Sequence, residues 1–227
     1  MNLKEQAASA ALQYVKNGMV LGLGTGSTTR YFTEMVGKKV QDGSLQGIVA
    51  IPTSDDTARL AGGFGIQLST VDDHDVLDLA VDGADEVDPH LNLIKGLGKA
   101  LLREKIVEMH AKQFVVIVDE SKMVERLGMK GPLPVEIVRF GAGAHVRWLN
   151  SLPGCSAELW VEDGKPAVTD NGNYLAKCTF EGGIQDVHIL ASELAQWPGI
   201  VEHGLFLDMA HTVIVATEAG PVVKSKK

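Results

Sequence analysis

Between Val81 and Lys105 the chain reads VDGADEVDPHLNLIKGLGKALLREK. Carboxylates at Asp82, Asp85, Glu86 and Asp88, an amine at Lys95, glycines at Gly96 and Gly98 and a further acid at Glu104 share this one span. A packed core has no use for such a mixture. Proton transfer does, because a carboxylate of suitable basicity can take a proton while a fixed cation holds the negative charge that develops.

These groups need elements to hold them. A helix is expected from Lys99 to about Met109, with Ala100, Leu101, Leu102, Ile106, Val107 and Met109 as its apolar positions. Residues three and four apart share a face, so Glu104 stands at the edge of the buried stripe. Partial desolvation there raises a carboxyl pKa toward the range of a general base. The competing reading of Arg103-Glu104-Lys105 is an exposed run whose ion pairs contribute little. Asp82 to Asp88 form a loop after the apolar run Val76–Val81. Loops at strand carboxyl ends are where open α/β sheets bind ligands. From composition alone its acids rank first as a solvated loop and second as a hard-cation site for Mg²⁺. An acid–base pair working on a polyhydroxyl substrate beside Lys95 comes third.

A second candidate lies upstream. Met19-Val20-Leu21 reads as a buried strand running into Gly22-Leu23-Gly24-Thr25-Gly26-Ser27-Thr28-Thr29, and a helical pattern resumes from Thr28 to Val36. Strand, glycine and hydroxyl loop, then helix gathers free N–H groups around an anion. The dinucleotide fingerprint would need glycine where Ser27 stands, and the Gly-Lys-Ser/Thr of a P-loop is absent. The loop therefore suits a lone phosphate, against the plainer reading of a turn with a hydroxyl N-cap. Lys4, in a helix expected over residues 3–16, reads by itself as a solvated side chain.

Further elements alternate. Strands are expected at Gly47–Ile51, Ile66–Ser69 and Phe114–Val118, the last ending in Asp119-Glu120-Ser121-Lys122, with a short helix at Asp56–Leu60. Such alternation indicates an α/β fold with a mostly parallel sheet covered on both sides. After Gly128 the pattern changes to strand Leu133–Phe140, helix Ala142–Asn150, strands Ala157–Glu162, Lys165–Thr169 and Tyr174–Phe180, a helix near Ser192–Gln196 and strand Ile200–Phe206. Asp163-Gly164 and Asp170-Asn171-Gly172-Asn173 supply turn chemistry between them. This order suggests a smaller ferredoxin-like α+β domain. The expected division is residues 1–129 plus 208–227 for the sheet domain and 130–207 for the insertion. Thr212–Ala216 returns to the first sheet, and the tail Lys224–Lys227 is expected to fray.

Composition narrows the functional classes. A formal charge of −8 over 227 residues argues against nucleic acid. No apolar stretch is long enough to span a bilayer, and Met1-Asn2-Leu3-Lys4 does not open a signal peptide, so no membrane is involved and the expected setting is cytoplasmic. Cys155 and Cys178 lack metal-ligand spacing and are expected to stay reduced.

Taken together, Gly24-Thr25-Gly26-Ser27-Thr28, Asp82-Gly83-Ala84-Asp85-Glu86, Lys95-Gly96, Leu102-Arg103-Glu104-Lys105, Ser121-Lys122 and Pro132-Leu133-Pro134-Val135-Glu136 occur in the order and spacing of the type A ribose-5-phosphate isomerases. The resemblance covers nearly the whole chain. It implies interconversion of ribose 5-phosphate and ribulose 5-phosphate, a step of the non-oxidative pentose phosphate pathway, without a metal or organic cofactor. By resemblance Glu104 moves the proton between C1 and C2 through an enediolate, Asp82 and Asp85 handle hydroxyl protons, and Lys95 stabilises the oxyanion. Thr25, Gly26, Ser27 and Thr28 would cradle the phosphate with Lys122 and Lys4, and Gly83, Ala84, Gly96, Leu97 and Gly98 would line the sugar. The family fold is a Rossmann-like domain with an α+β insertion, and its members assemble as homodimers or homotetramers. One departure stands out. The loop after the lysine is commonly glycine throughout in the family, whereas Leu97 and Lys99 here add bulk and a cation.

Two rival classes remain. A relative on the same kind of fold, such as a sugar-phosphate deaminase, coenzyme A transferase or sugar-phosphate sensor, cannot be separated by fold. A Mg²⁺-dependent phosphatase could be built on Asp82, Asp85 and Asp88.

Overall fold

The computed structural model describes residues 2–226. Its first half runs α1 (Leu3–Ala11), β1 (Val20–Leu23), α2 (Ser27–Gln41), β2 (Val49–Pro52), α3 (Asp55–Gly63), β3 (Gln67–Leu68), β4 (Leu79–Asp82), β5 (Glu86–Val87), β6 (Leu93–Ile94), α4 (Leu101–Met109) and β7 (Phe114–Asp119). Then come β8 (Leu133–Ile137), α5 (Ala142–Leu149), β9 (Cys155–Leu159), β10 (Val161–Glu162), β11 (Lys165–Pro166) and β12 (Tyr174–Phe180). The chain ends with α6 (Val187–Gln196), β13 (Ile200–His203), β14 (Leu205–Phe206), β15 (Thr212–Thr217) and β16 (Gly220–Ser225). It is an α/β protein with a mostly parallel main sheet and smaller antiparallel sheets.

Two compact units divide these elements, one formed by Met1–Ala84, Arg103–Lys122 and Met209–Lys227, the other by Asp85–Leu102 and Met123–Asp208. The first carries a seven-stranded sheet of order β16-β15-β7-β4-β1-β2-β3. Every pairing in it is parallel except that of β16 with β15. From β1 the chain builds outward through β2 and β3, then jumps back to β4 on the other flank of β1. That reversal is a topological switch point, and the crevice beyond the carboxyl ends of the two strands is the expected ligand position. The small residues Ala7, Ala8 and Ala11 are fully buried and let α1 lie against β7 and β15. Asn2 caps this helix by accepting a hydrogen bond from Glu5 N–H at 2.8 Å.

The second unit holds the antiparallel sheet β13-β8-β12-β9, whose buried Leu133, Val135, Ile137, Ala176 and Cys178 form a core with Leu149 of α5 and Leu190 and Leu194 of α6. A three-stranded sheet of order β14-β6-β5 and the β10–β11 hairpin complete it. The single strand expected over Ile200–Phe206 is in fact two, in different sheets, separated by Gly204. Lys224 and Ser225, expected to fray, pair in β16 with Val213 and Thr212, and Lys226 N–H reaches the His211 carbonyl; Lys227 lies outside the described residues. Among the described residues no helix is long and apolar enough to cross a membrane.

Candidate active site

In the first unit the switch point is built around Gly24 and Asp82. Gly24 N–H donates to the Val81 carbonyl at 3.0 Å, and a Cβ on Gly24 would fall 2.0 Å from Asp82 Cγ. Only glycine therefore admits the Asp82 side chain, which is fully buried and accepts from Gly83 N–H at 2.6 Å. Beyond Gly24, Thr25 Oγ1 lies 2.7 Å from Thr53 Oγ1 and 2.8 Å from Ser54 Oγ, while Thr57 Oγ1 donates to the Gly24 carbonyl at 3.0 Å. This hydroxyl cluster fixes the loop so that exposed Gly26 and Ser27 open the fifteen-residue helix α2. The first-turn N–H groups of a helix carry the positive end of its dipole. Lys4 Nζ donates to Ser27 Oγ at 2.7 Å, which brings a cation to the same loop. Lys122 stands half-buried in a short 3₁₀ turn after β7, at the same edge of the sheet as the carboxyl ends of β1 and β4.

Glu104 is 2% exposed on α4, more deeply buried than a stripe-edge position. The helix turns its charged side inward: Leu101, Glu104, Lys105 and Glu108 are buried, at spacings of three and four, while Ile106 is 40% and Met109 70% exposed. The apolar pattern read from the sequence thus misplaces Ile106 and Met109, and the exposed-run reading of Glu104 fails. Gly22 supplies the reason the helix can approach, since a Cβ there would meet Val107 Cγ1 at 2.7 Å. Arg103 pins the same turn through Asp55 at 2.7 Å.

In the second unit, β5 pairs with β6, and Asp85 N–H donates to the Ile94 carbonyl at 2.8 Å. Asp85 Oδ2 accepts from Leu97 N–H at 3.0 Å, so the acid holds the turn that follows Lys95. Lys95 is 2% exposed, its N–H donates to the Gly204 carbonyl at 2.9 Å, and its ammonium lies 5.4 Å from the centre of the Phe206 ring. Gly96 needs its glycine for two reasons, a φ of +108° and a Cβ that would strike Leu101 at 2.8 Å. Leu97 and Gly98 are exposed. Lys99 does not stand as a spare cation, because its Nζ bonds Glu162 Oε2 at 2.7 Å.

The other acids of the central stretch have structural partners. Glu86 accepts from the N–H groups of Gly128, Lys130 and Gly131 at 2.6, 2.7 and 2.9 Å. Asp88 accepts from His90 N–H, Asn92 N–H and Asn92 Nδ2. Sequence reasoning missed the buried Lys105 and Glu108 and the packing of Gly204 on Lys95. The four-residue spacing from Glu104 to Glu108 was the available signal for one of them.

Comparison with known proteins agrees on one family. The model of ribose 5-phosphate isomerase A (phosphoriboisomerase A) matches residues 49–220. The probable ribose-5-phosphate isomerase 2 of Arabidopsis thaliana is 50% identical over 99% of this chain and 86% of its own length. Ribose-5-phosphate isomerase A of Roseiflexus castenholzii is 50% identical over 96% of this chain and 93% of its own. A D-ribose-5-phosphate isomerase solved with phospho-erythronic acid superposes with a TM-score of 0.94 at 42% identity, covering 100% of both chains. The Plasmodium falciparum ribose 5-phosphate isomerase gives 0.95 at 37% identity over 99% of this chain and 98% of its own. With half its residues shared along nearly full length, this chain belongs to the ribose 5-phosphate isomerase A family.

Proposed function

We propose that this chain, a member of the ribose 5-phosphate isomerase A family, works on ribose 5-phosphate with Glu104 as the base that carries a proton between C1 and C2. The observation that carries this reading is the inward-facing charged side of α4, where Glu104 is 2% exposed. Burying a carboxylate costs free energy that exposed placement avoids, which supports a working role for Glu104. Lys95, also buried, supplies the fixed positive charge that an enediolate oxygen requires. Asp82 and Asp85 move hydroxyl protons, including those of ring opening. The substrate phosphate sits on Thr25, Gly26, Ser27 and Thr28, supported by the helix N-terminus and Lys4, with Lys122 adding charge; Gly83, Ala84, Gly96, Leu97 and Gly98 contact the sugar. The 42%-identical relative was solved in complex with phospho-erythronic acid, a phosphorylated sugar acid, which favours a sugar-phosphate substrate here.

The finer architecture belongs to this reading. The element order β8-α5-β9-β12-α6-β13 with sheet order β13-β8-β12-β9 supports a ferredoxin-like insertion, taken as residues 130–207, within a Rossmann-like domain of residues 1–129 plus 208–227. The same reading takes the setting as cytoplasmic and the assembly as a homodimer or homotetramer. A Mg²⁺-dependent phosphatase is disfavoured because Asp88 already accepts three hydrogen bonds from its own loop.

The test is incubation of purified, metal-stripped protein with ribose 5-phosphate and assay of the ketose. Formation of ribulose 5-phosphate by the wild type and its loss in Glu104→Gln support the assignment. Inorganic phosphate released in its place overturns it.

A further inference from the structure

Lys99 occupies a position where the backbone asks for glycine. Its φ is +65°, in the left-handed region that side chains avoid. Non-glycine residues persist there only when their surroundings over-determine them. The surroundings of Lys99 do so from two sides. Its N–H closes the turn on the Gly96 carbonyl at 2.9 Å. Its side chain reaches the opposite way, with Nζ on Glu162 Oε2 at 2.7 Å and 6.0 Å from the centre of the Trp160 ring. The hydrogen bond from the Lys99 ammonium holds the Glu162 carboxyl below its usual range.

The platform that receives Lys99 is itself rigid. Trp160 is 8% exposed, its N–H donates to the Leu175 carbonyl, and its carbonyl accepts from Ala167 N–H, both at 2.8 Å. Lys177 covers the same ring at 4.3 Å. Glu162 ends β10 and leads into the turn of the β10–β11 hairpin, whose two turn residues, Asp163 and Gly164, have φ of +49° and +75°, the geometry of a tight hairpin turn. Between the hairpin and the turn lies a short chain of contacts: Glu162 to Lys99, Lys99 to Gly96, and Leu97 N–H to Asp85.

We propose that Lys99 is a positioning residue, tethered to Glu162 and Trp160, that holds the Gly96–Lys99 turn so that Leu97 N–H fixes the Asp85 carboxylate and Lys95 keeps its place. This rests on the reading of Lys95 and Asp85 as groups that handle the substrate. It gives the lysine that departs from the family's glycine loop a function of its own, without contact to the sugar.

The experiment compares wild type, Lys99→Gln, Glu162→Gln and the double variant, with Lys99→Arg as the conservative replacement. Each single loss of the tether is expected to lower kcat about two- to fivefold, the range a partly exposed ion pair can carry, with KM within about twofold. The double variant falls no further than the worse single, the sign of one shared interaction, and Lys99→Arg stays near wild type. Independently of activity, amide hydrogen exchange at Leu97 and Lys99 quickens in Glu162→Gln while the melting temperature holds. Unchanged exchange, additive losses in the double variant, or a loss confined to KM would each overturn the proposal, the last by making Lys99 a substrate-binding cation. A wild type that does not isomerise ribose 5-phosphate overturns the functional reading instead, and the exchange rates still decide the tether.

Discussion

Replacing Gly204 by alanine would set a methyl group 2.2 Å from the Lys95 carbonyl oxygen, with Pro134 Cδ at 3.0 Å and the Pro134 carbonyl oxygen at 3.2 Å on its other sides. The last two contacts are tight but tolerable, so the displacement falls on Lys95. To reach even 3.0 Å the two groups must part by at least about 0.8 Å. The hydrogen bond from Lys95 N–H to the Gly204 carbonyl, 2.9 Å long, carries that shift directly to the lysine backbone. A misplacement near 1 Å can cost about 10²-fold in rate, while overpacking at such a site costs about 1–3 kcal/mol. The second figure is smaller than the usual stability of about 5–15 kcal/mol, so Gly204→Ala should stay folded. The expected result is a kcat about 10²-fold lower, with a reduced but cooperative thermal transition. Initial rates of ketose formation, normalised to the folded fraction from circular dichroism, provide the measurement. A normalised kcat within about threefold of wild type would show that Lys95 does not need its present position, and with it the oxyanion role would fall.

Other perturbations separate chemistry from architecture. Glu104→Gln keeps the shape of α4 and should lower kcat by about 10²–10⁴-fold with little change in melting temperature; steady-state rates and a thermal scan check both. Exhaustive dialysis against EDTA should leave the isomerisation rate unchanged, and restoration of a lost rate by Mg²⁺ would revive the metal reading of the acidic loop. Glu86→Gln turns amide protons toward a nest of backbone donors and should cost about 1–3 kcal/mol in urea unfolding. Asp78 is held below the ordinary carboxyl pKa of 3.8 by the Lys112 ammonium and Val20 N–H. Because the folded value is the lower one, its stabilisation is complete above 3.8 and lost as pH falls through the depressed value. Asp78→Asn should therefore be less stable than wild type at pH 7, by no more than about 1 kcal/mol, and equal to it in strong acid, as pH-dependent unfolding would reveal.

Much of the fold is legible in the chain alone, as are the residues of the candidate site, and the misses have physical causes. Long apolar runs such as Phe114–Val118 declare themselves as strands, and turn chemistry at Asp163-Gly164 marks the hairpin that forms there. Two-residue strands do not: Glu86–Val87 pairs with Leu93–Ile94, which pairs on its other side with a distant segment, Leu205–Phe206. Periodicity also misreads α4. Counting apolar residues assigns Ile106 and Met109 to the core, but the helix instead buries Glu104, Lys105 and Glu108. A rule that hides oil and shows charge fails on a helix whose buried face carries Glu104, Lys105 and Glu108. Gly204 reads as one more residue of a strand, because close approach of a carbonyl leaves no trace in local pattern. The Asp170–Asn173 segment is recognisable as a turn, but nothing local reveals what the turn holds. Thr169, Asn171 and Asn173 all donate to Oε1 of the fully buried Glu136, more than thirty residues upstream.

The register of the main sheet also bears on how the molecule is made. Strand β7 pairs on one side with β4, and on the other with β15, where Val115 faces Thr212 across nearly a hundred residues of intervening sequence. During synthesis β7 therefore stands with one bare, wholly apolar edge, Phe114 to Val118, until residues 212–216 have emerged to pair with it. Such a sheet matures late and slowly. A nascent chain stalled before residue 212 would offer a ready template for sticking to its neighbours, and a strong client for chaperones.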